Sequence, residues 1–336
     1  MDSRDAQLEQ QSTNLSSEFS LIAKYFKDLT GQRGVELGIG DDAALLVPEP
    51  GRQIVVATDT LVETVHFPPS ASAEQIASRA LCVNLSDMAA MGAKPRWFTL
   101  ALTIPKHLAN KQWLQGFSRG LAEISAQFDV ALVGGDTTAG PLCISITMIG
   151  DVPVGEALQR SGAQVGDAIY VTGELADGAA ALQAITNPKS PLHNSERLLT
   201  RFYRPQPQIE LGIKLRGIAS ACIDISDGLV ADLGHICAAS SVNAQLSGAL
   251  IPVHREVSEN YPQHSLRWAL SGGDDYQLCF TVPQVRRSVI DELIAESGLT
   301  ATLVGQIVAC KVCHELVEID GEILSPNNRG FDHFSS

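Results

Sequence analysis

Val130-Ala131-Leu132-Val133-Gly134-Gly135-Asp136-Thr137-Thr138 is a short apolar run that stops at a Gly-Gly turn bearing a carboxylate. Four apolar residues bounded by turn residues predict a strand over 130–133. Just upstream, Leu114, Phe117, Leu121, Ile124 and Phe128 recur at helical spacing. A helix feeding a strand that ends in an acidic turn is a unit of layered α/β or α+β domains.

The same alternation continues outward. Residues 19–26 predict a short helix, 53–57 a strand ending at Thr58-Asp59-Thr60, 73–91 a helix stopped by Gly92, and 97–104 a strand. Downstream, 142–149 predicts a strand, followed by a break at 151–155 and a second block starting at 167–173. Prolines 188, 191, 205 and 207 predict a loop-rich connection over 187–207. Helices are expected over 208–219 and 227–239, and residues 266–270 lead through Ser271-Gly272-Gly273-Asp274-Asp275 into a strand over 276–282.

A length of 336 residues suggests two domains, and 45% hydrophobic content suffices for real cores. The expected division is a disordered extension over 1–17, a first domain over 18–151 and a second over 152–336. With 24 Lys+Arg against 38 Asp+Glu the chain is acidic, which disfavours nucleic-acid binding. No secretory pattern opens the chain and no apolar run is long enough to span a membrane. Seven scattered cysteines fit a reduced, cytoplasmic compartment. Cys310-Lys311-Val312-Cys313-His314 spells a haem-attachment string, but it stands alone and reads as a chance pair.

The chemistry lies in carboxylates at punctuated positions. Asp41 and Asp42 follow Gly-Ile-Gly, Asp59 follows a strand, and Asp87 lies on a helix three residues after Asn84. Asp136 follows Gly-Gly, Asp224 and Asp227 bracket Ile225-Ser226 before a helix, and Asp274 and Asp275 follow another Gly-Gly. Any one of these could be a helix cap or turn residue. So many together would repel one another unless cations neutralise them. Oxygen donors select Mg²⁺ or Mn²⁺ over zinc. There is no Walker A motif, no Gly-Lys pair and no His-Arg-Asp loop, so an ATP enzyme here is neither a P-loop protein nor a protein kinase.

Seven segments in order resemble the thiamine-monophosphate kinase family. They are Gly38-Ile39-Gly40-Asp41-Asp42-Ala43-Ala44, Thr58-Asp59-Thr60, Asn84-Leu85-Ser86-Asp87-Met88-Ala89-Ala90-Met91-Gly92 and Gly134-Gly135-Asp136-Thr137-Thr138. Asp224-Ile225-Ser226-Asp227-Gly228-Leu229, Ser271-Gly272-Gly273-Asp274-Asp275-Tyr276 and Gly330-Phe331-Asp332-His333-Phe334 complete the set. The resemblance implies a two-domain α/β (α+β) fold like that of aminoimidazole ribonucleotide synthetase. In that fold the N-terminal domain forms a β-barrel across a homodimer and the C-terminal domain is α/β.

By the same resemblance, ATP phosphorylates thiamine monophosphate to thiamine diphosphate with several Mg²⁺ ions, K⁺ being a further candidate. Asp42, Thr58, Asp59, Asp87, Asp136, Asp224 and Asp227 look like metal ligands. Gly135, Asp136, Arg160 and Ser226 resemble ATP contacts, and His66, Asp274 and Phe331 resemble substrate contacts. Phe331 stands where Tyr is common and Asp274 where Glu is frequent. No residue beyond the metal ligands is expected to be catalytic. Among relatives, selenophosphate synthetase needs an N-terminal cysteine, whereas the first here is Cys82, and a hydrogenase-maturation protein needs a C-terminal one, whereas this chain ends Phe334-Ser335-Ser336. Aminoimidazole ribonucleotide synthetase is the remaining enzymatic alternative, and a binding protein that kept the scaffold is the non-enzymatic one.

Overall fold

Ile144, Ile146 and Met148 are buried while Cys143, Ser145 and Thr147 between them are half-buried, the two-residue period of a strand with one covered face. A computed structural model describes residues 25–26, 29, 34–193, 195–310 and 317–323. The expected extension over 1–17, most of the helix predicted at 19–26, the Cys313-His314 end of the haem-like string and Phe331 lie outside the described residues.

In chain order the elements are β1 (Val35–Leu37), β2 (Leu45–Leu46), β3 (Arg52–Val62), α1 (Ala73–Ala90), β4 (Lys94–Ile104), α2 (Lys111–Phe128), β5 (Ala131–Ala139) and β6 (Cys143–Pro153). They continue with β7 (Ala168–Thr172), α3 (Asp177–Thr186), α4 (Glu196–Tyr203), α5 (Ile209–Lys214), β8 (Ala221–Ile225), α6 (Leu229–Ser240) and β9 (Asn243–Leu246). Last come α7 (Arg255–Asn260), α8 (Ser265–Ser271), β10 (Gln277–Val282), α9 (Arg287–Ser297), β11 (Ala301–Val308), β12 (Val317–Ile319) and β13 (Glu322–Ile323).

The chain divides into two compact units. The first is Met1–Pro50, Thr58–Leu81 and Pro95–Ile149; the second is Gly51–Ala57, Cys82–Lys94 and Gly150–Ser336. A four-stranded sheet has the order β3-β6-β4-β5, with β4 and β5 parallel. In the first unit, Trp97, Ala131 and Val133 are packed with Val35, Ala44, Leu46 and Ile149. Helix α2 begins where the Asn110 side chain accepts the Trp113 N–H and ends on Asp129 at φ 53°, so both ends are capped locally.

The second unit is built on a seven-stranded sheet, β13-β12-β9-β11-β7-β10-β8, antiparallel except for β9 with β12. Tyr170, Leu211, Leu215, Cys222, Leu278 and Phe280 form its core, and the Tyr170 and Phe280 rings stack 5.4 Å apart.

Several elements run further than their sequence patterns suggest. Strands β3 and β5 carry on through Asp59 and Asp136, so neither carboxylate sits past a strand end. Strand β6 passes the expected break, because Asp151, which interrupts the apolar run, is 1% exposed and pairs with Arg52 at 2.9 Å. The expected loop over 187–207 contains α4. There Ser195 accepts the Leu198 N–H, and Leu198, Phe202 and Tyr203 are buried.

Candidate functional site

In the first unit the predicted site positions depend on backbone. At Asp42 the N–H donates to the Asp41 carboxylate at 2.8 Å, and both residues are exposed after Gly40. Asp136 is exposed on β5, opposite Ala101 of β4. The β4–β5 register shifts between Phe98 and Thr99, where Val133 is the extra residue on β5 just before Gly134-Gly135. Gly135 has φ 154°, and a Cβ there would lie 1.9 Å from the Leu100 carbonyl oxygen, so only glycine fits. Thr58 and Thr60 occupy one face of β3, where their hydroxyls bond Thr147 and Ser145 of β6 at 2.9 and 2.7 Å. Strand alternation puts Asp59 on the other face.

His66 ends the turn after β3. Its Nδ1 accepts the Val62 N–H at 3.0 Å, which leaves Nε2 as the protonated nitrogen of the neutral ring. The Arg79 guanidinium, 1% exposed on α1, donates to the His66 carbonyl at 3.0 Å. A buried arginine thus holds the backbone of a predicted substrate contact.

In the second unit the predicted site positions depend on carboxylates that are themselves held. Ser86, next to Asp87 on α1, donates its hydroxyl to Asp224 at the end of β8 at 2.8 Å. Burial holds the Asp224 carboxyl above the usual carboxylate range; the Ser86 hydroxyl and the Arg160 charge oppose this, and the Asp227 charge adds to it. Arg160 is exposed, and its carbonyl lies 3.4 Å from the Ser240 hydroxyl. Asp232, in the first turn of α6, accepts the N–H groups of Ser226, Asp227 and Gly228 on one oxygen at 3.0, 3.1 and 3.1 Å. Burial, reinforced by Asp224 and Asp227, pushes its carboxyl up to about 8.

Asp274 has φ 63° and Tyr276 φ 50°, and the Tyr276 hydroxyl donates to the Asp274 carboxylate at 3.0 Å. The neighbouring Asp275 accepts the N–H groups of Ala176 and Gly178 at the start of α3 at 2.9 and 3.1 Å. Burial pushes its carboxyl up to about 7 against those two bonds, with Asp177 and Asp274 adding. The Asp274 N–H donates to the Ser226 carbonyl and the Tyr276 N–H to the Ile225 carbonyl, both at 2.8 Å, so the two acidic turns of this unit are joined.

Asp224, Asp227, Ser226 and Asp274 are therefore brought together within the second unit. Asp42, Asp136, Thr58, Asp59 and His66 belong to the first. Among the described residues, no three His, Cys, Asp or Glu side chains form a ready-made metal cage. Sequence reasoning missed Arg79 and Asp232, and it quoted Ser86 and Asp275 within motifs without giving either a holding role. Asp232 carried one signal, a carboxylate five residues after Asp227 where helix α6 starts.

Residues 40–152 match the family model described as AIR synthase related protein, N-terminal domain, and residues 164–315 that of the C-terminal domain. The chain is 45% identical over 324 residues to thiamine-monophosphate kinase of Escherichia coli (strain K12), covering 95% of this chain and 98% of the relative. The crystal structure of thiamine-monophosphate kinase from Stenotrophomonas maltophilia K279a is similar at TM-score 0.82 and 43% identity, covering 92% of this chain and 98% of that one. AaThiL complexed with AMPPCP and TMP is similar at TM-score 0.75 and 31% identity, covering 88% and 92%.

Proposed function

The chain belongs to the thiamine-monophosphate kinase family, and from that premise we propose that it transfers the γ-phosphoryl group of ATP to thiamine monophosphate, giving thiamine diphosphate and ADP. An oxygen of the acceptor phosphate forms the new bond to the γ-phosphorus while the bond to the β–γ bridging oxygen breaks. The acceptor is a phosphate monoester with a second pKa of about 6, so at pH 7 it is largely dianionic and needs no general base. The work left to the protein is positioning and charge neutralisation.

The observation that carries this reading is the set of carboxylates held at two acidic turns, Asp224 to Asp227 and Asp274 to Asp275, in a chain so alike to kinases of this family. The donors are all oxygens, and burial with a second carboxylate nearby holds Asp224 above its usual range, a strain that a divalent cation relieves. Mg²⁺, when bound, supplies charge for the phosphates. We assign Asp42, Thr58, Asp59, Asp87, Asp136, Asp224 and Asp227 as its holders. Mg²⁺ uses one or two carboxylates together with water and substrate phosphates, so no ready-made cage is needed. K⁺ is tested beside it.

Gly135, Asp136, Arg160 and Ser226 are assigned to ATP. His66, through its Nε2–H, Asp274 and Phe331 are assigned to thiamine monophosphate. An acidic side chain suits the cationic ring system, and an aromatic face suits stacking.

The working division remains 18–151 and 152–336. A homodimer closing the first domain into a barrel is supported by β3, whose Ile54 and Val56 are 45% and 60% exposed. Cytoplasmic residence is supported by the free thiols at Cys143, Cys222, Cys237 and Cys279; among the described residues no helix is long and apolar enough to cross a membrane.

The test is ADP release from Mg-ATP with and without thiamine monophosphate, with products identified by mass. ADP formed only with thiamine monophosphate, alongside thiamine diphosphate, is the expected result. ADP formation indifferent to it would overturn the substrate assignment, and formylglycinamidine ribonucleotide would be tried next.

A further inference from the structure

Asp232 is not among the residues assigned above to metal, ATP or substrate, yet it is 3% exposed and its Oδ2 gathers three consecutive backbone N–H groups, those of Ser226, Asp227 and Gly228. Three donors on one oxygen is a strong constraint, because each N–H must turn inward toward the same point. The chain can make that bend only because Gly228 sits at φ 118°, where a Cβ would lie 2.7 Å from Ser271 Cα. The bend also carries a second load. The Ser226 carbonyl accepts the Asp274 N–H and the Ile225 carbonyl accepts the Tyr276 N–H, so the turn holding Asp274 rests on the turn that Asp232 holds.

We propose that Asp232 is a positioning residue for phosphoryl transfer, fixing the bend at residues 226–228 so that Asp227 and Ser226 are presented to metal and nucleotide and Asp274 to the acceptor. The proposal rests on the assignment of Asp227 and Ser226 given above. Among the described residues the Asp232 carboxylate hydrogen-bonds to backbone N–H groups, and its effect passes through the residues it holds.

The test compares full-length wild type, D232A, D232N and D227N. Mn²⁺ binding in the presence of ADP is followed by the paramagnetic resonance of free Mn²⁺, beside melting temperature and the Mg²⁺ concentration giving half-maximal rate. D232A is expected to weaken Mn²⁺ binding by about tenfold or more, as loss of a ligand's support does. D232N keeps an acceptor oxygen and should stay within about threefold of wild type. If D232A gives no folded protein, D232S, which can still accept one N–H, is measured against the same threshold.

Mn²⁺ binding by D232A within twofold of wild type, with only the melting temperature lowered, overturns the proposal in favour of a purely structural role. Equal weakening in D232N and D232A also overturns it, since charge and not the held bend would then be what matters. D227N separates this from the site assignment. If D227N weakens Mn²⁺ binding while D232A does not, the positioning role alone fails. If D227N leaves binding unchanged, the assignment of Asp227 fails.

Discussion

Strand β5 around Asp136 and the turn from Asp224 to Asp227 both present carboxylates at the end of an apolar run, but they are built differently. Asp136 is exposed, and its position depends on main chain, through the register shift opposite Phe98 and Thr99 and a glycine pressed against the Leu100 carbonyl. Asp224 is buried and bonded to Ser86, and Asp227 lies in a bend tied to Asp232. The first arrangement costs little desolvation and leaves the carboxylate in water. The second holds charge in a poorly solvated place, so it needs hydrogen bonds already in position.

The sharpest way to break this comparison is Asp136→Asn. Because Asp136 is exposed, the fold should be unaffected while turnover falls by roughly 10²–10³-fold, the scale for losing one electrostatic contact to a transferring group. An unchanged kcat, measured with a circular dichroism melt as control, would remove Asp136 from the site.

Gly135→Ala should come next, this time in stability. Its Cβ would enter the Leu100 carbonyl at φ 154°, costing on the order of 3 kcal/mol, whereas Gly134→Ala meets only Thr99 Cγ2 at 4.0 Å and should cost less than about 1 kcal/mol. Urea unfolding of both variants decides. Equal losses would mean that the bulge, and not the close approach, sets the requirement.

The smallest expected effect concerns the second unit and pH. The folded carboxyl of Asp275 lies at about 7 against an ordinary 3.8, so the folded state keeps a proton that the unfolded chain releases across that window. Its contribution to stability therefore falls as pH rises from about 4 to about 7, at up to about 1.4 kcal/mol per pH unit. Asp275→Asn removes this titration, and its unfolding free energy should fall less steeply between pH 5 and pH 7 (roughly the same window) than that of wild type. Parallel slopes would show that Asp177 and Asp274, the nearby acids, carry the dependence instead.

Much of the fold was legible in the sequence. The period of Leu114, Phe117, Leu121 and Ile124 marked α2, and the apolar run before Gly134 marked β5, because those patterns are local. The prolines bracketing residues 187–207 hid α4, whose stability comes from Leu198 and Phe202 burying and from Arg197 pairing with Asp177 at 2.6 Å and Glu256 at 2.7 Å. Asp151 read as a break for a similar reason, since its partner Arg52 lies 99 residues away.

The amino-acid order alone determined which residues could carry the chemistry. Oxygen donors beside glycine turns, and the absence of a phosphate-binding lysine loop, follow from residue identity and spacing. Only the tertiary structure decided how each carboxylate is held. Nothing local distinguishes exposed Asp136 from buried Asp224, or marks Asp232 and Asp275 as the acids that grip backbone. Burial and hydrogen-bond partnership are relations between distant segments, and they set a carboxylate's charge and rigidity more than its sequence neighbours do.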